Sequence, residues 1–267
     1  MRSAIRHIQL PHLYNLRDLG GYETSDGTST AWHRLYRSDC PENLSDSEWD
    51  RLADLGIATL IDVRSTYEAS ESPVCAPKGF TYRHCPFFYE EPGIELVGDA
   101  GREFLASLSL DYRVMTETSA MQIAKILTAI CEGMTNGAVM FFCTAGKDRT
   151  GIVAAEVLRL CGVGDQSIVA DYCVTEVYNA EVIRQRIESL PPEILEQVSP
   201  QTMAVAADSS PDTMRRYLAW SEEWGFCTQM NGLGFSAEAQ RELKFLLTDI
   251  GSCDKYTEHT MPSGNEA

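Results

Sequence analysis

Between residues 34 and 160, segments of strand character alternate with segments of helical character. Short apolar runs rich in β-branched and aromatic residues predict strands at 34–37, 59–63, 80–85 and 138–142. Apolar residues at helical spacing predict helices at 45–55, 102–109, 116–132 and 150–160. Strands that alternate with helices are typical of an α/β fold, in which a mostly parallel central sheet is flanked by helices.

The C-terminal third of the chain has a different, almost purely helical pattern. Helices are predicted at 165–178, 180–189, 192–198, 211–224 and 236–248, with prolines at 191, 192 and 211 between them. We interpret residues 190–230 as a helical insertion that either forms a lid over a site or packs as ordinary cover. Residues 1–250 are expected to form a single domain, and residues 251–267 are expected to be a disordered tail.

One segment, FFCTAGKDRTG at residues 141–151, joins a strand end, a short loop and a helix start. Of the nine cysteines, only Cys143 has an arginine six residues later, which is Arg149. The amides that follow the cysteine and the positive end of the new helix could surround a phosphate, and the planar guanidinium of Arg149 matches two of its oxygens. We therefore predict a phosphate-binding loop in which the cysteine is the nucleophile. Its remaining members are Thr144, Ala145, Gly146 and Lys147.

Other uses of this segment fit less well. In a Walker A loop, Gly146 and Lys147 would be followed by serine or threonine, whereas Asp148 stands there. A zinc site would need a second cysteine or a histidine at ligand spacing, and neither is present. The remaining alternative is a buried structural thiol, which we accept for most of the other cysteines. We predict no metal and no cofactor.

With these residues the chain resembles the bacterial and fungal tyrosine-phosphatase-like enzymes, a branch of the Cys-x5-Arg protein tyrosine phosphatase superfamily that includes the mycobacterial triple-specificity phosphatase. Their loop reads approximately His-Cys-x-x-Gly-Lys-Asp-Arg-Thr-Gly, and FCTAGKDRTG at 142–151 is similar. Four further segments also resemble the family: NLRDLGGY at 15–22, WHRLYRS at 32–38, GIATLIDVRS at 56–65 with Glu68 close behind, and NGLGFS at 231–236. The resemblance covers most of residues 12–250.

The resemblance implies a role for each residue of the loop. Cys143 would attack phosphorus, and Arg149 would bind the phosphate. Asp148 would act as the general acid, or would be only a charge at the helix N-terminus or an ion-pair partner of Arg149. Asp18 and Asp62 are the next candidates for the acid. Thr150 would stabilise the departing thiolate, or would cap the helix. Lys147 would either meet additional substrate phosphates or be a solvated surface lysine.

Four residues outside the loop are further candidates for the pocket. Arg17, Arg37 and Arg64 are candidates for lining it. Asp62 and Arg64 stand two residues apart at a strand end, and such a pair more often supports a loop than takes part in catalysis.

The chain departs from the family pattern at Phe142, where the family usually has histidine. Without that histidine, the helix start, the loop amides and Arg149 must stabilise the thiolate alone. Three functions stay open, of which the third is the one that Phe142 suggests and the second follows from the acidity of the chain and its helical cover. The first is a phosphatase acting on phosphotyrosine or phosphoinositide phosphate, and the second is a phosphatase for a small-molecule phosphate in a biosynthetic pathway. The third is a pseudophosphatase that binds a phosphorylated ligand without turnover.

Composition limits the partners. The formal net charge is −17 and the isoelectric point is about 4.6, so long-range repulsion disfavours nucleic acid and anionic membranes. No apolar run is long enough to span a bilayer, and the N-terminus lacks the pattern of a signal peptide. A mechanism that needs a free thiol, together with nine cysteines in no disulfide framework, favours the cytoplasm. The expected partner is a phosphorylated substrate.

Overall fold

The computed structural model describes residues 5–88, 111–189 and 209–248. Within these ranges, five strands form one mixed sheet in the order β1-β2-β5-β3-β4. The strands are β1 (Arg17–Asp18), β2 (Leu35–Ser38), β3 (Ile57–Asp62), β4 (Thr81–His84) and β5 (Ala138–Phe142). β2, β5, β3 and β4 are parallel, and β1 is antiparallel to β2. The predicted α/β fold with a mostly parallel sheet is confirmed.

β5 lies in the middle of the sheet, and every one of its residues is apolar. All five are buried, which is typical of a parallel strand covered on both faces. Met140 pairs with Tyr36 of β2 on one side and with Leu60 of β3 on the other. The C-terminal ends of these three strands therefore meet at one edge of the sheet, where ligands of open α/β sheets commonly bind.

The helices in the described part of the chain surround this sheet. They are α1 (Asp46–Asp54), α2 (Thr66–Glu71), α3 (Tyr112–Thr118), α4 (Ala120–Gly133), α5 (Asp148–Leu160), α6 (Asp165–Ser189), α7 (Pro211–Trp224), α8 (Phe226–Gly232) and α9 (Ala237–Leu247). None of them is both long and apolar enough to cross a membrane.

The predicted element boundaries differ from the structure in several places. Residues 165–178 and 180–189 form the single helix α6, and the predicted helix at 116–132 is divided into α3 and α4 at Ser119. β1, α2 and α8 were not predicted, because two to seven residues are too few to show a period. The helices predicted at 102–109 and 192–198 and the tail at 251–267 lie outside the described residues.

Successive side chains of β5 point to opposite faces of the sheet and join two separate cores. Val139 and Phe141 belong to the larger core, which α3, α4, α5 and α7 cover. Met140 and Phe142 belong to the smaller core, on the face covered by α1. Cys143 follows this alternation and lies on the larger-core side. The side chains of Phe142 and Cys143 are therefore directed to opposite faces of the sheet.

The described part of the predicted insertion at 190–230 packs into the larger core. Met214, Tyr217 and Leu218 of α7 are almost completely buried there. Pro211 at the start of α7 and Gly225 in the left-handed conformation at its end explain why this helix was predicted correctly. Residues 190–208 lie outside the described residues.

The substitution Ile130→Ala should lower the free energy of unfolding by about 2–5 kcal/mol, because it opens a cavity in the larger core. Ile130 has no exposed surface. Met121 lies on the same helix α4 and is 53% exposed, so Met121→Ala should change the free energy by less than about 0.5 kcal/mol. Urea titrations of both variants measure this. Equal losses for the two would contradict the assignment of the α4 face that forms the core.

Candidate active site

The loop that contains Cys143 connects the end of β5 to the start of α5 at Asp148. The cysteine is 3% exposed and lies at the edge of the sheet where β2, β3 and β5 end. Gly146 makes the turn with a φ of +65°, a conformation that side chains disfavour. A Cβ atom there would lie 2.4 Å from the carbonyl oxygen of Ser38, so no other residue fits without moving the backbone. The loop therefore depends on glycine for two reasons.

The carbonyl groups of the loop are held by side chains from outside it. The Ala145 carbonyl accepts hydrogen bonds from Asn15 Nδ2 at 3.0 Å and Asn179 Nδ2 at 2.6 Å. The Gly146 carbonyl accepts from Asn15 Nδ2 at 3.0 Å and Arg37 Nη2 at 2.8 Å. In a trans peptide the N–H points away from the carbonyl, so the following amides are directed to the other side of the loop. This arrangement orients the donors that an anion would need.

A buried ion network lies directly behind the loop. The carboxylate of Asp171 accepts from Arg17 Nε at 2.8 Å and from Arg37 Nη1 at 2.6 Å, and all three side chains are almost fully buried. Burial alone would raise the pKa of Asp171, but the two guanidinium groups hold it well below its ordinary value. The aspartate is therefore ionised, and it links helix α6 to β1 and β2.

Arg17, which was predicted to line the pocket, has its guanidinium engaged in this network. Besides Asp171 it donates to the Asn15 carbonyl at 3.1 Å and to Thr175 Oγ1 at 3.0 Å. Asn15 in turn holds both loop carbonyls. The geometry gives Arg17 a supporting role behind the loop.

Arg149 is bound by Glu68 at the start of α2. Both guanidinium Nη atoms donate to the carboxylate of Glu68, one of them at 2.6 Å, and the hydroxyl of Thr144 donates to the same carboxylate. Burial works in the opposite direction, yet Arg149 and these hydrogen bonds hold the pKa of Glu68 well below its ordinary value. Glu68 also accepts from the Ser65 amide at 2.8 Å as part of a capping box. It thus fixes the arginine relative to the sheet.

Asp148, the first residue of α5, has a defined position. The hydroxyl of Tyr112 donates to its Oδ1 at 2.6 Å, and Lys147 Nζ lies 3.6 Å from the same oxygen. Lys147 is only 5% exposed, so it is not a solvated surface lysine. The charged groups of the loop are therefore packed against one another.

Asp62 and Arg64 form a pair at the end of β3. Arg64 donates to Asp62 through Nε at 3.0 Å and Nη2 at 2.7 Å, and its Nη1 donates to the Ser72 carbonyl at 2.9 Å. Tyr82 donates to the same carboxylate at 2.8 Å. The guanidinium lies 5.8 Å from the centre of the Phe142 ring. The pair therefore braces the strand end beside the loop, as such pairs commonly do.

Buried polar atoms that lack a hydrogen-bond partner concentrate at this loop. Within the described residues these are Thr150 Oγ1, Asn179 Oδ1 and Arg37 Nε, with Ser209 Oγ as the fourth such atom. A buried polar atom without a partner costs about 1–3 kcal/mol, so each is expected to meet water or another polar group. Arg37 and Asn179 bind the carbonyl side of the loop, whereas Thr150 follows the loop in α5.

A sequence model of the tyrosine phosphatase family matches residues 8–249. The chain belongs to the tyrosine phosphatase family. The matched range includes every residue of the site described above.

Named relatives of the family are moderately similar to the chain. A tyrosine-protein phosphatase of Nostoc commune is 34% identical over 142 residues, which are 51% of this chain and 46% of that protein. The triple specificity protein phosphatase PtpB of Mycobacterium tuberculosis is 28% identical over 251 residues, 79% of this chain and 86% of that protein. TpbA from P. aeruginosa, whose crystal structure is known, aligns with 14% sequence identity and a TM-score of 0.33. The alignment covers 75% of this chain and 97% of the TpbA chain.

Several site residues had not been recognised from the sequence. Asp171, Thr175 and Asn179 are four residues apart and therefore share one face of α6, which was the available signal. Tyr112 and Tyr172 gave no signal, because their contact joins residues that are 60 apart in the chain. The described residues contain no group of three or more histidine, cysteine or acidic side chains that could hold a metal ion.

Replacement of Asp171 by asparagine should lower the free energy of unfolding by about 3–5 kcal/mol, because two buried arginines would lose their counter-charge. Asp165 lies on the same helix with its side chain 57% exposed, so Asp165→Asn should cost less than about 1 kcal/mol. Denaturant unfolding followed by circular dichroism compares them. A loss below 1 kcal/mol for Asp171→Asn would show that the network is not needed for stability.

Proposed function

We propose that this protein is a cysteine-dependent phosphomonoester hydrolase that forms a phosphocysteine intermediate. The observation that carries the proposal is the position of Cys143 directly after β5, in the loop that leads into α5, where the loop carbonyls are bonded outward beside an anchored Arg149. Inward-directed amides, a helix N-terminus and a guanidinium all favour an anion with three oxygens. Family membership supports the same function.

In the first step the thiolate of Cys143 attacks phosphorus and forms a sulfur–phosphorus bond as the bond to the leaving oxygen breaks. Asp148 gives its proton to that oxygen, so the alcohol or phenol leaves neutral. Amides of residues 144–149 and the guanidinium of Arg149 bind the non-bridging oxygens, whose charge is greatest in the transition state.

In the second step a water molecule attacks phosphorus and Asp148 accepts its proton. The sulfur–phosphorus bond breaks, inorganic phosphate is released, and the thiolate is restored. The hydroxyl of Thr150 is buried without a partner among the described residues, and it would donate to that sulfur. The step regenerates the protonated Asp148 for the next cycle.

Phosphotyrosine is the substrate class best supported by the family name and by the named relatives, with phosphoinositide phosphate as the related choice. The net charge of −17 favours a substrate with one isolated phosphate group over a polyanion, which also fits a small-molecule phosphate from a biosynthetic pathway. A panel of phosphopeptides, phosphoinositides and sugar or nucleotide phosphates separates them, because the natural class should show a far higher kcat/KM. A reduced thiol is required, so we place the protein in the cytoplasm.

The substitution Cys143→Ser should abolish the turnover of p-nitrophenyl phosphate, because the attacking thiolate is lost. Cys227 is an exposed free cysteine of the C-terminal region, so Cys227→Ser should retain wild-type activity. EDTA should leave the wild-type rate unchanged, since the mechanism uses no metal. Steady-state assays at mildly acid pH measure all three.

The rival function is a binder of phosphorylated ligands without turnover, suggested by Phe142 in place of the usual histidine. The Phe142 side chain belongs to the smaller core, on the opposite face of the sheet from Cys143. If wild type and Cys143→Ser were equally inert while both bound phosphate in calorimetry, this rival would replace the hydrolase.

Glu68→Gln should lower kcat/KM about 10-fold, because Arg149 would lose the charged partner that holds it. The capping box of α2 should remain, because a glutamine side chain can accept the hydrogen bond from the Ser65 amide as glutamate does. Glu48 is a matched control, since it forms the equivalent capping box with Ser45 at the start of α1. Glu48→Gln should leave kcat/KM unchanged. A similar loss in both variants would mean that the caps, rather than the ion pair, determine the activity.

A further inference from the structure

Tyr112, at the start of α3, contacts the proposed general acid directly. Its hydroxyl donates to Asp148 Oδ1 at 2.6 Å and lies 2.7 Å from the hydroxyl of Tyr172 on α6. The Tyr112 ring packs edge-on against the rings of Tyr172 and Tyr217, each 6.0 Å away. The hydroxyl is therefore held in place by packing on two sides and by a hydrogen bond.

The Tyr112 hydroxyl keeps its proton at every pH at which the enzyme works. Burial, and then the negative charge of Asp148, raise the pKa of Tyr112 well above its ordinary value. The Tyr172 hydroxyl can donate to the Tyr112 oxygen, which leaves the Tyr112 proton for the aspartate. Tyr112 is thus a permanent donor to one particular oxygen.

A permanent donor decides which oxygen of a carboxylic acid carries the proton. Because Oδ1 accepts from Tyr112 and also lies near the ammonium group of Lys147, a proton on Oδ1 would face both. The proton of the neutral acid is therefore favoured on Oδ2, from which the proposed reaction would give it to the substrate. After the transfer the carboxylate keeps the same hydrogen bond through Oδ1.

We propose that Tyr112, held by Tyr172, is a positioning residue that fixes the Asp148 carboxyl and confines its transferable proton to Oδ2. The inference rests on the proposed function and deepens it, because it concerns the proton transfer of that reaction. Tyr112 touches neither the phosphate nor the nucleophile in this scheme. It acts through Asp148.

Leaving-group dependence tests the proposal, because only a poor leaving group needs the proton. Phenyl phosphate releases a basic phenolate, whereas p-nitrophenyl phosphate releases a stable one. For Tyr112→Phe, kcat/KM should fall about 10–100-fold with phenyl phosphate and less than about 3-fold with p-nitrophenyl phosphate. Tyr172→Phe should also lower kcat/KM more with phenyl phosphate than with p-nitrophenyl phosphate, by a smaller factor. This variant replaces Tyr112→Phe in the test if Tyr112→Phe does not fold.

Tyr217→Phe is the matched control. Tyr217 belongs to the same aromatic cluster and is equally buried, but its hydroxyl accepts from Thr116 at 3.3 Å and is not bonded to Asp148. Its ratio of activities on the two substrates should equal that of wild type. Equal losses on both substrates in Tyr112→Phe, or no loss on phenyl phosphate, would overturn the role of Tyr112 and leave the proposed function standing. If wild type itself shows no turnover that depends on Cys143, the proposed function fails and the inference fails with it.

Discussion

The site depends on one buried carboxylate. Asp171 binds Arg17 and Arg37 at once, and Arg37 in turn holds the carbonyl of Gly146. A guanidinium in the interior needs a counter-charge and hydrogen bonds for most of its donors. Asp171 therefore allows two arginines to lie beneath the loop. Arg37 binds the Gly146 carbonyl directly, and Arg17 holds Asn15, which binds the carbonyls of Ala145 and Gly146.

Helix α6 contributes several residues to the site, although it lies well after the loop in the sequence. Asp171, Thr175 and Asn179 lie along one face, and they meet Arg17, Arg37 and the Ala145 carbonyl. The neighbouring Tyr172 contacts Tyr112 and packs beside Gly151 of α5. The same helix thus contacts the loop through Asn179 and the proposed acid through Tyr172 and Tyr112, so a small shift of α6 would disturb both together.

The core of the fold could be predicted from the sequence because it rests on local patterns. The apolar run 138–142 and the helix after it are visible as periods, and the loop is visible as a spacing of cysteine and arginine. The partners of that loop are not local. Glu68 reaches Arg149 across 81 residues, and Asn15 reaches Gly146 across 131. Such contacts depend on how whole helices and strands pack, which a short stretch of sequence does not reveal.

The negative net charge of the molecule opposes the phosphate binding that we propose. With a formal net charge of −17, a phosphate approaching from solution meets a repulsive field at long range. That field is screened within about 8 Å at physiological ionic strength, whereas contacts inside the loop act at hydrogen-bond distance in a water-poor environment. Glu68 moreover offsets part of the charge of Arg149, so in the proposed mechanism the arginine would act mainly through directed hydrogen bonds. The preference for an anion that we propose would therefore come from short-range contacts with Arg149 and with the loop amides, which Asn15, Arg37 and Asn179 orient.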